Sequence, residues 1–161
     1  MSDYDKLKLI QDIAFQLFLD KGYEATSVRT ICKCAGIEAP TLYYYFQSKK
    51  GLFFSIAYKF FDSYKLASSH LTDLFASTRA EEKLFLFFIH SIKFAMDNLA
   101  ETRFFFRYSL FPPAELKDEI SLFLREARHK KEVFISGCLK ECIEQGLIKR
   151  DLEEASKIYN K

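Results

Sequence analysis

The fold of this chain is decided by residues 26–50, which read TSVRTICKCAGIEAPTLYYYFQSKK. Two short stretches with helical character lie on either side of Gly36, and Thr26 or Ser27 can cap the first of them. Glycine permits the positive φ of a tight turn, and Pro40 suits the start of the second helix because its missing N–H costs nothing there. Two short helices joined by a glycine turn predict a helix-turn-helix, whose second helix would enter the major groove of DNA.

The second short helix has the chemistry expected of a helix that faces DNA. Residues 39–50 contain no acidic side chain, one threonine, three tyrosines and two lysines. Leu42 and Phe46 are four residues apart and can anchor the helix to a core, which leaves Thr41 and the tyrosines on other faces. Phenolic hydroxyls can bind phosphates, tyrosine rings can pack on sugars or thymine methyl groups, and Arg29 in the preceding helix could reach a guanine edge. An aromatic packing cluster in an ordinary helical bundle accounts for the same pattern equally well.

The rest of the chain is predicted to be helical as well. Only five glycines and three prolines interrupt long stretches with helical periodicity, which indicates an all-α protein. Residues 84–89, LFLFFI, have the propensity of a strand, but apolar residues continue after them at helical spacing, so we predict a helix there. The predicted helices cover residues 4–21, 28–35, 40–46, 49–75, 80–99, 101–110 and 117–145, and a further helix starts near Asp151.

The composition excludes several classes of protein. Of the 161 residues, 49% are apolar and 29% are charged, and the net charge is +2, which fits neither a disordered chain nor a membrane protein. The sequence contains no uncharged apolar run of about 18 residues, so no transmembrane helix is predicted. The first ten residues lack the pattern of a secretory signal. We therefore expect a cytoplasmic protein with no membrane association, whose four cysteines are thiols.

No arrangement of residues predicts catalysis or metal binding. Cys138 and Cys142 share a helix face, but no histidine or third cysteine lies at zinc-motif spacing, so we interpret them as core residues. Cys32 and Cys34 lie on nearly opposite sides of a helix, which disfavours a shared ligand role. The sequence has no nucleophile elbow and no glycine-rich phosphate loop, so neither an enzyme nor a cofactor is predicted.

Residues 10–53 resemble the DNA-binding domain of the TetR family of bacterial repressors. A dense match over about 40 residues is far more specific than a lone short motif. The residues that carry the resemblance are Ile13-Ala14, Leu17-Phe18, Gly22-Tyr23, Thr26-Ser27-Val28, Ile31, Ala35-Gly36-Ile37, Thr41-Leu42-Tyr43-Tyr44-Tyr45-Phe46, Ser48-Lys49 and Leu52.

The resemblance implies which residues contact DNA. Thr41 and the three tyrosines match family positions that touch DNA, and Lys49 matches a lysine that binds phosphate. Many relatives have a serine where Glu38 stands, and an acid repels phosphates, so Glu38 is expected to stabilise the helix N-terminus instead. The residues predicted to bind DNA are Thr26, Ser27, Arg29, Ala39, Pro40, Thr41, Tyr43, Tyr44, Tyr45 and Lys49.

The resemblance also implies how the chain is organised. Residues 1–48 would form the helix-turn-helix domain, and residues 49–161 would form a helical body that binds an effector and dimerises. The family usually dimerises through its last two helices, and this chain stops within what resembles the first of them. We therefore expect the chain to be a fragment or to be partly disordered at its C-terminal end.

The body is rich in phenylalanine, and the whole chain has 18 of these residues and no tryptophan. A plain hydrophobic core explains most of them, whereas bulky rings that wall a cavity would bind a lipophilic or aromatic effector. The residues predicted to line such a site are Phe85, Phe88, Ile92, Met96, Phe104, Phe105, Tyr108, Phe111, Phe134 and Cys138.

The sequence therefore predicts a repressor that binds double-stranded DNA at a palindromic operator as a homodimer and is released by a small hydrophobic effector. Two other classes stay open: a helical protein–protein interaction module without DNA binding, and a small enzyme in a helical fold. The intact set of tyrosines and Lys49 argues against the first class. The lack of acid/base and metal-ligating arrangements argues against the second.

Overall fold

The computed structural model describes residues 2–76 and 78–148, and every regular element within them is helical. The all-α prediction is confirmed, and each predicted helix in this part of the chain ends within two residues of its predicted bounds. The predicted helix near Asp151 lies outside the described residues. Among the described residues, no helix combines the length and apolar character needed to span a bilayer. The helices are α1 (Asp3–Lys21), α2 (Val28–Ala35), α3 (Ala39–Phe46), α4 (Lys49–Ala76), α5 (Ala80–Asp97), α6 (Leu99–Leu110) and α7 (Lys117–Glu144), and a 3-10 turn at Ala114–Leu116 precedes α7.

Local signals in the sequence fix the ends of α2 and α3. Ser27 Oγ accepts a hydrogen bond of 3.0 Å from the Thr30 N–H and caps α2, as predicted. Gly36 ends α2 with a φ of 64°, in the left-handed region that glycine adopts without strain. Pro40 lies in the first turn of α3, where no helical hydrogen bond is lost. The two helices and their turn form the predicted helix-turn-helix.

The junction between α3 and α4 is tight. Gln47 takes a positive φ of 63°, and Ser48 Oγ accepts a hydrogen bond of 2.9 Å from the Gly51 N–H in the first turn of α4. A Cβ on Gly51 would lie 2.1 Å from the Phe46 carbonyl oxygen, far inside van der Waals contact. The close approach of the backbone at the end of α3 to the start of α4 therefore requires glycine at this position.

The chain divides into two compact units, and α4 and α7 each contribute residues to both. Unit 1 consists of residues 1–65 and 98–120, and unit 2 of residues 66–97 and 121–161. Unit 1 contains the helix-turn-helix together with the first part of α4, all of α6 and the 3-10 turn. These units are defined by packing, and the predicted functional boundary after residue 48 stays a prediction.

An aromatic cluster forms the centre of unit 1. The Phe53 ring, which is 2% exposed, lies 5.9 Å from Phe18, 5.4 Å from Tyr23, 5.4 Å from Phe104 and 4.9 Å from Tyr108, measured between ring centroids. These rings come from α1, the α1–α2 turn, α4 and α6. Aromatic pairs at such spacings add to the free energy gained by burial, so the cluster ties α6 to α1, to the α1–α2 turn and to the start of α4.

Unit 2 has a smaller aromatic cluster and a layer of small buried residues. The Phe134 ring lies 5.0 Å from Phe75 and 5.1 Å from Phe87. Cys138 and Cys142 are buried, which confirms their interpretation as core residues, and burial raises the pKa of both thiols. The stretch 84–89 is helical within α5, so the strand alternative is excluded.

We predict that Gly51→Ala lowers the free energy of unfolding by about 1–3 kcal/mol, because the new methyl group forces α3 and α4 apart. Gly137→Ala is the matched control: it also lies inside a helix, but its Cβ would meet nothing within 4 Å. That change should raise the free energy of unfolding by about 0.5–1 kcal/mol. Urea unfolding followed by circular dichroism measures both values, and equal effects of the two changes would contradict the argument.

Candidate nucleic-acid interface

The candidate recognition helix α3 is anchored by two residues and presents two tyrosines. Leu42 is fully buried and Phe46 is 6% exposed, as the spacing predicted, whereas Tyr43 is 47% exposed and Tyr44 is 79% exposed. Because the two anchors are four residues apart, they occupy one face of the helix and hold the tyrosines on the others. The surface of α3 therefore offers two phenol groups at fixed positions.

Tyr45 differs from its two neighbours because its hydroxyl is already bonded within the chain. It donates a hydrogen bond of 2.8 Å to Asp3 Oδ1 at the start of α1, and this bond raises the pKa of the phenol. Its ring meets the Tyr44 ring edge to face at 5.1 Å between centroids. Tyr45 thus braces Tyr44, and it can reach a phosphate only by giving up its bond to Asp3.

The start of α3 carries the remaining predicted contacts. Ala39 and Thr41 are partly exposed and Pro40 is exposed. Glu38 is the N-cap of α3 but makes no side-chain capping bond, so any stabilisation of the helix start comes from its charge alone. The side chains that could meet bases here are small, which suits the close approach of a helix to a groove.

The residues predicted at the start of α2 have different roles. Arg29 is exposed, and Ser27 is exposed while its hydroxyl caps the helix. Thr26 is fully buried, and its hydroxyl donates to the carbonyl oxygens of Gly22 at 2.8 Å and Leu17 at 3.2 Å. The prediction that Thr26 contacts DNA is therefore corrected for its side chain, which instead ties the end of α1 to the start of α2.

Lys49 occupies a defined position at the edge of this surface. Its Nζ lies 4.0 Å from the centroid of the Tyr23 ring and donates a hydrogen bond of 3.1 Å to the Tyr23 carbonyl oxygen. An ammonium group has three donors, so a phosphate can still bind to it. The cation–π contact limits the freedom of the side chain and holds the charge beside the α1–α2 turn.

Residues of α6 hold the end of α1 in place, and sequence reasoning did not assign them this role. Tyr108 donates a hydrogen bond of 2.8 Å to the Phe18 carbonyl oxygen, and Arg107 donates one of 2.7 Å to the Leu19 carbonyl oxygen. The last carbonyls of a helix have no partner within it, and a cation near them is favourable. No sequence signal marks these bonds, because they join residues about 90 positions apart.

The residues predicted to line an effector site fall into both units. In unit 1, Phe104 and Tyr108 are buried in the Phe53 cluster and Phe105 stacks on Phe60 at 5.5 Å, while Phe111 is 77% exposed. In unit 2, Phe134 packs against the other rings and Cys138 is buried. The four predicted residues of α5 are exposed by 40–73%; they are Phe85, Phe88, Ile92 and Met96.

The comparison with protein families identifies the helix-turn-helix. Residues 10–56, which run from α1 into α4, match the family described as bacterial regulatory proteins, tetR family. Over this region the chain is similar to the TetR family. The resemblance stated from the sequence is thereby confirmed, and the members of this family are regulators rather than enzymes.

Two proteins similar in sequence to this chain are named as HTH-type transcriptional regulators. Over 71 residues the chain is 38% identical to the HTH-type transcriptional repressor ComR of Escherichia coli K12, an alignment that covers 44% of this chain and 33% of ComR. Over 130 residues it is 25% identical to the probable HTH-type transcriptional regulator YttP of Bacillus subtilis 168, with 81% of this chain and 62% of YttP covered. The chain therefore spans less than two thirds of the length of either relative.

A solved structure has a similar fold. The ketosteroid transcriptional regulator KstR2 of Mycobacterium tuberculosis superposes with a TM-score of 0.74 at 18% identity, and the match covers 100% of this chain and 80% of KstR2. At this identity the likeness concerns the fold alone.

We predict that Tyr108→Phe lowers the free energy of unfolding by about 1–2 kcal/mol, because the Phe18 carbonyl loses a buried donor while the ring stays in place. Tyr4→Phe is the control, since Tyr4 is 74% exposed, and it should change stability by less than about 0.5 kcal/mol. Both values come from denaturant unfolding. A Tyr108→Phe protein as stable as the Tyr4→Phe protein would show that the hydrogen bond does not hold α1.

Proposed function

We propose that this protein is a transcriptional repressor that binds a double-stranded operator through α2 and α3. The observation that carries the proposal is the surface of α3, where buried Leu42 and Phe46 hold exposed Tyr43 and Tyr44 in fixed positions. Exposed Arg29 on α2 and the oriented ammonium of Lys49 flank this surface. Side chains of this kind supply both base readout and phosphate contacts. The proposal implies a cytoplasmic location.

The proposed assembly on DNA is a homodimer on a palindromic site. The recognition helix has only eight residues, and one such helix contacts too few base pairs for useful specificity. Two copies related by a two-fold axis would read two half-sites about one helical turn apart. Size-exclusion chromatography with light scattering, run with and without a DNA duplex selected for binding, measures the number of copies per duplex. A single copy that protects a single half-site would contradict the dimer.

We further propose that a small hydrophobic effector releases the repressor. The exposed apolar side chains of α5 and the half-buried ring of Phe134 support an apolar binding surface in unit 2. KstR2, which is named as a ketosteroid transcriptional regulator, is an example of a similar fold in a protein named for a lipophilic compound. A ligand that binds only a conformer with displaced recognition helices shifts the population off DNA. Because α4 begins at Lys49, directly after α3, and continues to Ala76, it is the proposed lever.

The experiment that tests the DNA-binding proposal is selection of bound duplexes from a random pool. An enriched, two-fold symmetric sequence is the expected result, and the enriched duplex then serves as the probe for the variants below. Recovery of no sequence above background, from a protein shown to be folded by circular dichroism, would overturn the proposal.

We predict that Lys49→Gln and Arg29→Ala weaken binding in different ways. Losing the Lys49 phosphate contact should weaken binding to all duplexes alike and reduce the slope of log K against log salt by about 0.9 per protomer. Losing Arg29 should relax the preference at one base position by about 1–3 kcal/mol. Lys59→Gln, also on α4, is the control for loss of a lysine and should leave the slope unchanged. Unaltered site preference of the Arg29→Ala protein would exclude its base-reading role.

We predict that a hydrophobic ligand binds unit 2 and weakens operator binding. A hundredfold loss of affinity requires about 2.7 kcal/mol of coupling between the two sites. The measurement is a screen of steroids, acyl chains and aromatic compounds for release of fluorescent operator DNA, repeated with Ile92→Asp, which places a charge on the exposed face of α5. Ligands that bind the wild type but leave its operator affinity unchanged would end the effector proposal.

A further inference from the structure

Two carboxylates that follow α6 in the sequence contact residues on either side of the helix-turn-helix. Glu115, in the 3-10 turn, accepts a hydrogen bond of 2.5 Å from the Tyr23 hydroxyl at Oε1. Glu119, in the first turn of α7, pairs with Lys50 at 2.6 Å between Oε1 and Nζ. Both acids belong to unit 1, as do Tyr23 and Lys50, which flank the helix-turn-helix in the sequence.

One of these contacts is made to a lysine directly, and the other is made to the tyrosine whose ring lies against the neighbouring lysine. Lys50 follows Lys49 at the start of α4, and the Lys49 ammonium lies over the ring of Tyr23, whose hydroxyl is held by Glu115. The bond to Glu119 raises the pKa of Lys50 and lowers that of Glu119, so both groups stay charged over the ordinary pH range. The charge of Lys50 is therefore partly neutralised within the chain, and the charge of Lys49 is held over the Tyr23 ring.

The pair of Lys50 and Glu119 contributes little to stability. The two side chains are 48% and 43% exposed, and ion pairs in such surroundings stabilise a fold only weakly because water and salt screen them. A DNA phosphate close to Lys50 offers an equivalent anion with several acceptor oxygens. Glu119 and a phosphate can thus replace each other at Lys50 without disturbing the fold.

We propose that Glu119, supported by Glu115, is an intrachain counter-charge that competes with DNA phosphates for Lys50 and so lowers the affinity of unit 1 for DNA. This inference rests on the proposed DNA binding and adds an acidic residue, distant in sequence from the helix-turn-helix, that sets its strength. Phosphate contacts carry no sequence information, so Glu119 alters affinity and salt dependence equally for all duplexes.

The experiment is a double-mutant cycle of Glu119→Gln and Lys50→Gln, read as binding to a fluorescein-labelled random-sequence duplex between 50 and 200 mM salt. Glutamine keeps the size of glutamate and one acceptor oxygen but removes its charge. We expect Glu119→Gln to bind about fivefold more tightly at low salt, with a slope steeper by about 0.9 per protomer, as one phosphate contact is gained. In the Lys50→Gln background the same change should have less than about a twofold effect.

The matched control is Asp12→Asn, which breaks another exposed ion pair of unit 1, between Asp12 and Lys59 at 3.3 Å. Lys59 lies nine residues beyond Lys50 on α4, which is about 14 Å along the helix axis. Asp12→Asn removes the same charge, and it should change affinity by less than about twofold. Thermal melts of all variants should agree with the wild type within a few degrees.

Three outcomes would overturn the inference. Unchanged affinity and slope of Glu119→Gln would show that Lys50 does not reach phosphate. An equal gain in the Lys50→Gln background, or in Asp12→Asn, would show that the effect is only a change of net charge. The proposed function is tested separately by selection from the random pool: an enriched operator together with an inert Glu119→Gln change rejects this inference alone, and absence of binding to any duplex rejects both.

Discussion

The arrangement of unit 1 depends on which groups donate hydrogen bonds to the carbonyl oxygens at the C-terminal end of α1. The Phe18 carbonyl accepts hydrogen bonds from the Gly22 N–H and from the Tyr108 hydroxyl, and the Phe18 ring packs on Phe53. Buried carbonyl groups must find donors or cost free energy. The last turn of a helix lacks donors of its own, and α6 supplies one to the Phe18 carbonyl, besides the Gly22 N–H, and one to the Leu19 carbonyl. The position of α2 and α3 depends on the same end of α1, because the Thr26 hydroxyl donates a hydrogen bond to the Gly22 carbonyl in the α1–α2 turn.

The candidate interface carries little positive charge that is free of contacts within the chain. The helix α3 contains no charged residue, so electrostatic attraction to DNA must come from Arg29 and from lysines at its borders. Two of those lysines are engaged within the chain, Lys49 by the Tyr23 ring and carbonyl and Lys50 by Glu119. Nonspecific binding scales with the number of phosphates neutralised. A surface with few available cations therefore depends more on the shape and hydrogen bonding of its tyrosines.

The sequence predicted the elements well and the contacts between them poorly, for a physical reason. Ser27, Gly36 and Pro40 act through bonds to residues at most four positions away, so their effects are visible in a short window of sequence. Thr26 looked like another exposed cap residue, but it is buried because α1 and α2 meet there. The roles of Arg107 and Glu115 depend on residues about 90 positions away, and no local pattern encodes such a pairing.

The phenylalanines illustrate the limit of composition as a guide to ligand binding. Density of rings predicted one effector site, yet Phe104 and Tyr108 are required as packing partners of Phe53, and their exposed fractions are 4% and 5%. A residue that already fills a core cannot also line an open cavity unless the core changes. The rings of α5 are different, because Phe85 and Phe88 keep 64% and 40% of their surface accessible. Exposed apolar surface of this kind costs free energy in water, so burial of these α5 rings against an apolar partner would be favourable.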